Sequence, residues 1–211
     1  MLQSIFLLIS LLSLFFLFYG TGKNKRLVIL FLCWQLIIGI LAFNQVFLNN
    51  PILFPIVILG TIVLTVYALY IIDTKKINSN YLLSNHILRI PVELVLYQLF
   101  LQQKLPKLMT FEGWNFDIFI GITALLILIY QLATKRKFKQ KFMLFWNGLG
   151  MGFLLIIISL AILSSPLPIQ QFAFDQPNIA VLEFPYCFLP TCIVPIVLIS
   201  HILMLNKATS I

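Results

Sequence analysis

Residues Tyr81–Gln103 read YLLSNHILRIPVELVLYQLFLQQ, and this stretch decides the fold class. It is long and apolar enough to cross a bilayer, yet it carries His86, Arg89, Glu93 and Tyr97. At ~100° per residue these four side chains fall on one narrow stripe of a helix, with Glu93 near the middle of the span. Because ionisable groups at that depth are costly, they normally face a protein interior or a wet cavity. The stripe is therefore the first candidate site.

The composition is that of a membrane protein. Of 211 residues, 61% are hydrophobic and 9% are charged, with a mean hydropathy of +1.05. Soluble domains are about 25% charged. The formal net charge is +8, but the basic residues form short clusters between apolar runs, which indicates membrane topology and lipid headgroups. We therefore expect the lipid bilayer as a partner and no nucleic acid. The sequence leaves the oligomeric state open.

The apolar runs predict one all-α transmembrane domain, a polytopic helical bundle of seven spans. The spans are residues 2–19, 27–48, 52–72, 81–103, 117–133, 142–163 and 187–205. The first run is followed, not preceded, by basic residues, so we interpret it as an uncleaved span. With the N-terminus outside and the C-terminus cytoplasmic, the inner loops and tail carry 11 of the 14 Lys and Arg. This distribution obeys the positive-inside rule and predicts a multi-pass cell-membrane protein.

The spacing within the stripe predicts an ion pair. Arg89 and Glu93 are four residues apart, so we expect them to pair along the helix. Pro91 lies between them, frees the carbonyl of Ile87 and is expected to kink the span. Freed carbonyls beside charged groups are typical of helices that line cavities in transporters. The alternative is a self-neutralised pair that only fixes helix packing.

Other polar residues inside the spans are expected to join the stripe. Gln35, Asn147 and His201 lie at depths similar to that of His86, and together they predict a polar column through the bundle. A single polar residue in a span more often makes a helix–helix hydrogen bond. In the sixth span, the Gly148–Gly152 spacing of GxxxG allows close helix approach, although this is a weak signal.

The sequence offers little sign of a cofactor or a metal. It contains no Walker loop, no G-x-S-x-G and no HExxH motif, and its two histidines lack local ligand spacing. The three cysteines match no zinc or redox spacing, so we interpret them as packing residues. A retinal Schiff base would need a lysine in the middle of a span, and Lys207 lies only at the membrane edge. We therefore expect no cofactor and no metal.

The outer loops form a second candidate site. Glu112 and Asn115 precede the fifth span and Asp117 begins it, and Asp175 and Asn178 precede the seventh, all among aromatic residues. Aromatic residues at a membrane interface are ordinary anchors. Two acidic–aromatic loops on one side could also form a lid, or a site for a cation or a sugar. The apolar segment 179–184 is expected to lie at the interface as a short helix.

Four segments from the fourth span onward resemble a family of small uncharacterised bacterial membrane proteins. These are RIPVE (89–93), MTFEG (109–113), NFD (115–117) and QQFAFDQPN (170–178). The resemblance covers about the C-terminal two thirds of the chain. It implies a bacterial inner-membrane location, and it implies no catalytic residues because the family has no assigned activity.

The leading hypothesis is a small carrier or solute-binding protein. Arg89 would hold a small polar or anionic solute, and Glu93 would couple binding to a proton. One alternative is a membrane-embedded enzyme using His86, His201 and Glu93 around one reacting atom. Another is a sensor or assembly protein that meets a partner through its outer acidic–aromatic loops, which predicts a shallow outer surface without a continuous cavity.

Overall fold

Nine α-helices form the framework in this computed structural model, which describes the backbone of residues 1–209 and the side chains of residues 1–207. The helices are α1 (Leu2–Gly20), α2 (Lys25–Phe43), α3 (Val46–Asn49), α4 (Phe54–Ile71), α5 (Ser79–Ile87), α6 (Arg89–Leu101), α7 (Asp117–Thr134), α8 (Gln140–Leu163) and α9 (Val194–Thr209). No β-strand occurs within residues 1–209, so the all-α prediction is confirmed.

Six helical segments of the described chain are long and apolar enough to cross a membrane. They are Leu2–Gly20, Lys25–Phe43, Pro51–Ile71, Asp117–Thr134, Gln140–Leu163 and Leu189–Lys207. Five of them match predicted spans to within a few residues at each end. The exception is the second span, which was expected to reach Leu48.

The second span ends early because the chain reverses after Phe43. The Asn44 side chain donates to the carbonyl of Ile40 over 2.8 Å, which competes with the helix for that acceptor. Gln45 then takes a left-handed backbone with φ of 58°, and the short helix α3 follows it. The predicted continuation of this span to Leu48 is therefore wrong.

The predicted fourth span is divided into α5 and α6. The two helices meet at Leu88, one residue after Ile87. Because Pro91 has no N–H, it cannot donate the helical hydrogen bond to the carbonyl of Ile87. Leu88 keeps a right-handed helical backbone, with φ of −63° and ψ of −14°. The interruption therefore lies where the proline predicts it, and the fourth span is not among the six long continuous helices.

A wider turn precedes α9. Leu189–Ile193 forms a π-helical segment that contains Pro190, and it leads directly into α9, whose second residue is Pro195. In the long segment that contains α9, 61% of the residues in its most apolar 18-residue stretch are buried. In the other five long segments the corresponding share is 28–33%. The long segment that contains α9 is thus the most buried of the six, and α9 packs against α1, α4, α5 and α8.

The loops at one end of the bundle are tied together. Asn78 N–H donates to the carbonyl of Gly20 over 2.9 Å, and Lys207 Nζ donates to the carbonyl of Ile77 over 2.8 Å. Nearby, the backbone N–H of Lys75 donates to Asp73, which holds the pKa of that carboxyl below its ordinary value. The connections after α1 and α4 and the end of α9 therefore meet on one side.

The opposite end is closed by the long connection before α9. Ile179 and Ala180 N–H groups both donate to the carbonyl of Lys104, and Lys104 Nζ pairs with the carboxylate of Glu183. Ala180–Leu182 forms a short 3₁₀ helix, as expected, but its three side chains are only 1–6% exposed. Protein therefore encloses this segment, and its position at the membrane interface stays a prediction.

Candidate functional site

Arg89 is the centre of a buried polar cluster. Its side chain, 3% exposed, begins α6, and Nη1 lies 3.2 Å from Asp117 Oδ1 while Nη2 lies 3.2 Å from His201 Nε2. One guanidinium thus joins α6 to both α7 and α9. The expected pair with Glu93 is wrong, since no ion pair joins Arg89 and Glu93 among the described side chains. Arg89 turns instead to the neighbouring helices.

A glycine makes the Arg89–Asp117 contact possible. Gly121 lies one turn after Asp117 on α7, and a Cβ atom there would come within 2.8 Å of the Ile90 side chain and 3.1 Å of its backbone nitrogen. The absence of a side chain lets α7 approach the first turn of α6 closely. This approach brings the Asp117 carboxylate within reach of the guanidinium.

Glu93 is held by the loop before α7. Its Oε1 accepts a hydrogen bond of 2.6 Å from Asn115 Nδ2, and the same nitrogen donates to the carbonyl of Met109 over 3.1 Å. Asn115 Oδ1 in turn accepts from the backbone N–H of Asp117 over 3.1 Å. Glu93 Oε2 has no hydrogen-bond partner among the described residues. One carboxylate oxygen is therefore anchored and the other is available.

The hydrogen bonds of His201 define its tautomer. Arginine only donates, so Nε2 must accept from Arg89. The proton then lies on Nδ1, which donates to Asn147 Oδ1 over 2.9 Å. Asn147 Nδ2 donates to the carbonyl of Met143, which fixes the orientation of the amide. His201 is thus a neutral imidazole with both ring nitrogens engaged.

His86 packs against His201. The ring centroids are 4.0 Å apart with the planes tilted by 33°, and the centroids of the His86 and Trp146 rings are 5.4 Å apart in an edge-on arrangement. Both imidazoles are fully buried, and neither nitrogen of His86 has a partner among the described residues. A Cβ atom on Gly150 would lie 2.5 Å from Cε1 of His201, so α8 and α9 are in close contact at this glycine.

The GxxxG glycines of α8 make no close helix contact within the described chain. A Cβ atom on Gly148 or Gly152 would have no neighbour within 4 Å among the described residues, so neither glycine is a point of close helix approach. Gly150, between them, faces α9 instead. The signal identified the correct helix and the wrong face.

A cavity of about 430 Å³ ends at this cluster. It lies between α4 and α8, with α9 and the π-helical segment behind it, and its polar end is formed by Glu93, Asn115 and Asp117. Its walls are otherwise mostly apolar, and they include Ile62, Thr65, Leu96, Ile157, Ala161 and Leu198. Arg89 and the two histidines do not line it. The cavity therefore meets the carboxylate side of the cluster.

Two predicted members of the polar column lie elsewhere. Gln35 Nε2 donates to the carbonyl of Thr191 over 2.8 Å, and Gln35 Oε1 accepts from the Thr191 hydroxyl over 3.0 Å. Gln35 borders a separate apolar groove of about 480 Å³ between α1 and α2. Tyr97 donates to Glu112 Oε1 over 3.0 Å near the surface. Gln35 and Tyr97 are thus engaged away from the cluster around Arg89.

The outer-loop residues divide into two groups. Asn115 and Asp117 turn inward and complete the cluster around Arg89. Glu112, 3.5 Å from Lys107, and Asp175 remain near the surface. Asn178 is fully buried, and its backbone N–H donates to the carbonyl of Ser164. Asp117 was predicted as an outer-loop candidate, whereas its ion pair with Arg89 was not; its position as the first residue of an apolar run was the signal for that contact.

No group of three His, Cys, Asp or Glu side chains within the described range is placed to hold a metal ion. Cys187 and Cys192 are buried, as packing residues would be, whereas Cys33 is exposed.

Residues 46–208 match the domain of unknown function DUF8737. The chain belongs to this family. The matched region of DUF8737 contains every residue of the cluster, from His86 to His201, and excludes α1, α2 and Gln35. The resemblance to an uncharacterised family is confirmed to this extent, and membership transfers no catalytic residue. No curated protein and no solved structure matches the chain.

Proposed function

We propose that this DUF8737 protein is an intramembrane solute-binding protein of the carrier type, with seven spans, its N-terminus outside and its C-terminus cytoplasmic. The helices α5 and α6 together would make the fourth crossing. Ser79–Leu101 is about 34 Å long at 1.5 Å per residue, which suits a hydrocarbon core of about 30 Å. The basic loops support this orientation, and a bacterial inner membrane is the location we propose.

The observation that carries the proposal is the position of Glu93. Its side chain is 2% exposed and belongs to the residues that line the cavity of about 430 Å³, and its Oε2 atom has no hydrogen-bond partner among the described residues. Ligand cavities of about 300–1,000 Å³ with apolar walls and a few polar groups are typical of small-molecule sites. An ionisable group inside a membrane span is by default a functional candidate.

Arg89 has a positioning role in this proposal. Two of its nitrogens are engaged by Asp117 and His201, and its side chain is not part of the cavity wall. It therefore holds α6, α7 and α9 in register, while Glu93 contacts the solute. A solute with hydrogen-bond donors fits Glu93 better than an anion does.

The enzyme and sensor alternatives have less support. His201 uses both ring nitrogens, so it has no free lone pair with which to act as a base or a metal ligand. A sensor that uses only its outer loops has no need of a cavity that reaches Glu93. The intramembrane cavity therefore favours solute binding.

Equilibrium binding of pyrenebutanol, a neutral amphiphile, tests whether the cavity is a binding site. We expect saturable binding to the purified full chain in nanodiscs, and we expect Ala161→Phe in the cavity wall to weaken it at least about tenfold. Ala133→Phe, at an exposed position on α7, is the matched control and should bind like the wild type. Equal binding by all three proteins, or no saturable binding, would overturn the proposal.

A further inference from the structure

The charges around the cavity do not balance. Arg89 and Asp117 neutralise each other over 3.2 Å, and the hydrogen bonds of His201 require a neutral ring. Glu93 receives only the neutral amide of Asn115, and no ion pair reaches it within residues 1–207. When Glu93 is ionised, the cluster therefore carries one negative charge without a partner.

The residue that carries the unpaired charge borders the cavity. Glu93 is one of the residues that line it, and its Oε2 atom is buried and has no hydrogen-bond partner among the described residues. A buried carboxylate is costly unless it is paired and hydrogen-bonded. A ligand that brings one positive charge and N–H donors to this oxygen would remove that cost.

The walls of the cavity point to the rest of the ligand. Ile62 on α4 and Ile162 on α8 flank the cavity and are 52% and 40% exposed, so both walls continue onto the outer apolar surface of the bundle. A molecule with an apolar body that has partitioned into the bilayer would meet these walls first. The same molecule could then place its polar head at Glu93.

We infer that the cavity takes a monovalent cationic amphiphile, a primary amine with an apolar body, whose ammonium group pairs with Glu93. This inference rests on the binding role proposed above for the cavity. The ammonium N–H groups donate to Glu93 Oε2 while the apolar body lies between α4 and α8. The ligand thereby supplies the positive charge that the cluster lacks.

When no ligand is bound, a proton on the Glu93 carboxylate would neutralise its charge in place of the ammonium group. A protonated Glu93 carboxyl is neutral, and when an ammonium ion binds, that proton leaves so that the carboxylate and the ammonium pair. The charged and titratable groups around Glu93 within the described chain are Arg89 on α6, Asp117 on α7, His86 on α5 and His201 on α9. Protein and solvent thus exchange one proton for one cation.

Three probes with the same apolar body separate charge from shape. Pyrenebutylamine carries +1, pyrenebutanol is neutral and pyrenebutyrate carries −1 at neutral pH. We expect the wild-type protein to bind the amine at least about tenfold more tightly than the alcohol, and the acid most weakly. Glu93→Gln should remove this preference for the amine over the alcohol.

Two further variants make the result decisive. Glu93→Asp retains the charge and should retain the preference for the amine, whereas Glu112→Gln alters a carboxylate near the surface and should have no effect. Size-exclusion chromatography verifies that each variant is folded. If Glu93→Gln does not fold, the order in which the wild type binds the three probes and the result for Glu93→Asp still test the inferred ligand class.

The possible failures are distinguishable. If the wild type binds all three probes equally, and Ala161→Phe weakens all of them, the cavity is a binding site and the inferred ligand class is wrong. A preference for the amine that survives in Glu93→Gln would also overturn the inference. If no probe binds saturably, both the inference and the proposed function fail.

Discussion

Arg89 Nη1 lies 3.2 Å from Asp117 Oδ1, and this ion pair joins the first residue of α6 to the first residue of α7. The two side chains are 3% and 10% exposed, so protein encloses the contact. The pair connects two helices instead of lying along one. It therefore fixes the position of α6, which starts directly after the interruption at Leu88.

The first prediction concerns the coupling of this pair. Arg89→Leu and Asp117→Leu should each lower the free energy of unfolding by about 3–5 kcal/mol, because each leaves a buried charge without its partner. The double variant should lose clearly less than the sum of the two. Denaturant titration in mixed micelles measures the free energy of unfolding of all three variants.

Lys107→Gln and Glu112→Gln, which break an exposed pair, are the controls and should each lower the free energy of unfolding by less than about 1 kcal/mol. Strict additivity at Arg89 and Asp117 would contradict the coupling.

Asn115 provides the second prediction. Asn115→Ala removes the donor to Glu93 and the donor to Met109, so the free energy of unfolding should fall by about 1–3 kcal/mol. The same titration measures it. Asn44→Ala is the control: this amide is exposed and bonds only within its own helix, so its removal should change stability by about 0.5 kcal/mol or less. A similar loss in both variants would mean that Asn115 does not hold Glu93.

The third prediction compares two glycines on α8. Gly150→Ala places a methyl group against the His201 ring, so we expect a loss of about 1–3 kcal/mol in the free energy of unfolding. Gly152→Ala points into open space and should be neutral or stabilise the helix by up to about 1 kcal/mol. Thermal unfolding of the two variants in the same detergent is the measurement. Equal melting temperatures would show that α8 and α9 are not in close contact at Gly150.

The fourth prediction concerns the number of crossings. In a Cys33→Ser background, Asp175→Cys should react with a membrane-impermeant maleimide on intact cells, and Lys75→Cys should react only after permeabilisation. These positions lie before the seventh and fourth proposed spans, so seven crossings place them on opposite sides. If α5 and α6 did not cross together, both cysteines would react from the same side.

Apolar runs predicted most of the fold. They located six long helices because a span needs only length and hydrophobicity, and Pro91 located the interruption of the fourth span. They did not locate the end of α2, since a left-handed residue such as Gln45 leaves no mark in hydropathy. The boundary errors therefore arise where one backbone conformation, and not composition, decides.

The candidate site was harder to predict because its contacts are distant in sequence. The four-residue spacing of Arg89 and Glu93 indicated a local pair, yet Asp117 and His201 provide competing partners from other helices. Gln35 forms hydrogen bonds with Thr191, which is 156 residues away in the sequence and lies in the π-helical segment. The prolines in and after that segment do not by themselves predict its conformation. Residue type and depth identified the participants, whereas the partners depend on how helices pack.

The order in which partners appear along the chain matters for biosynthesis. In the seven-span topology that we propose, Arg89 leaves the ribosome before Asp117 and well before His201, so its guanidinium would enter the translocon without either partner. An arginine at the centre of an inserting helix costs about 2.5–3.5 kcal/mol. We therefore expect α5 and α6 to remain at the translocon until α7 and α9 have been synthesised. We also expect chains truncated before His201 to be degraded as insertion intermediates.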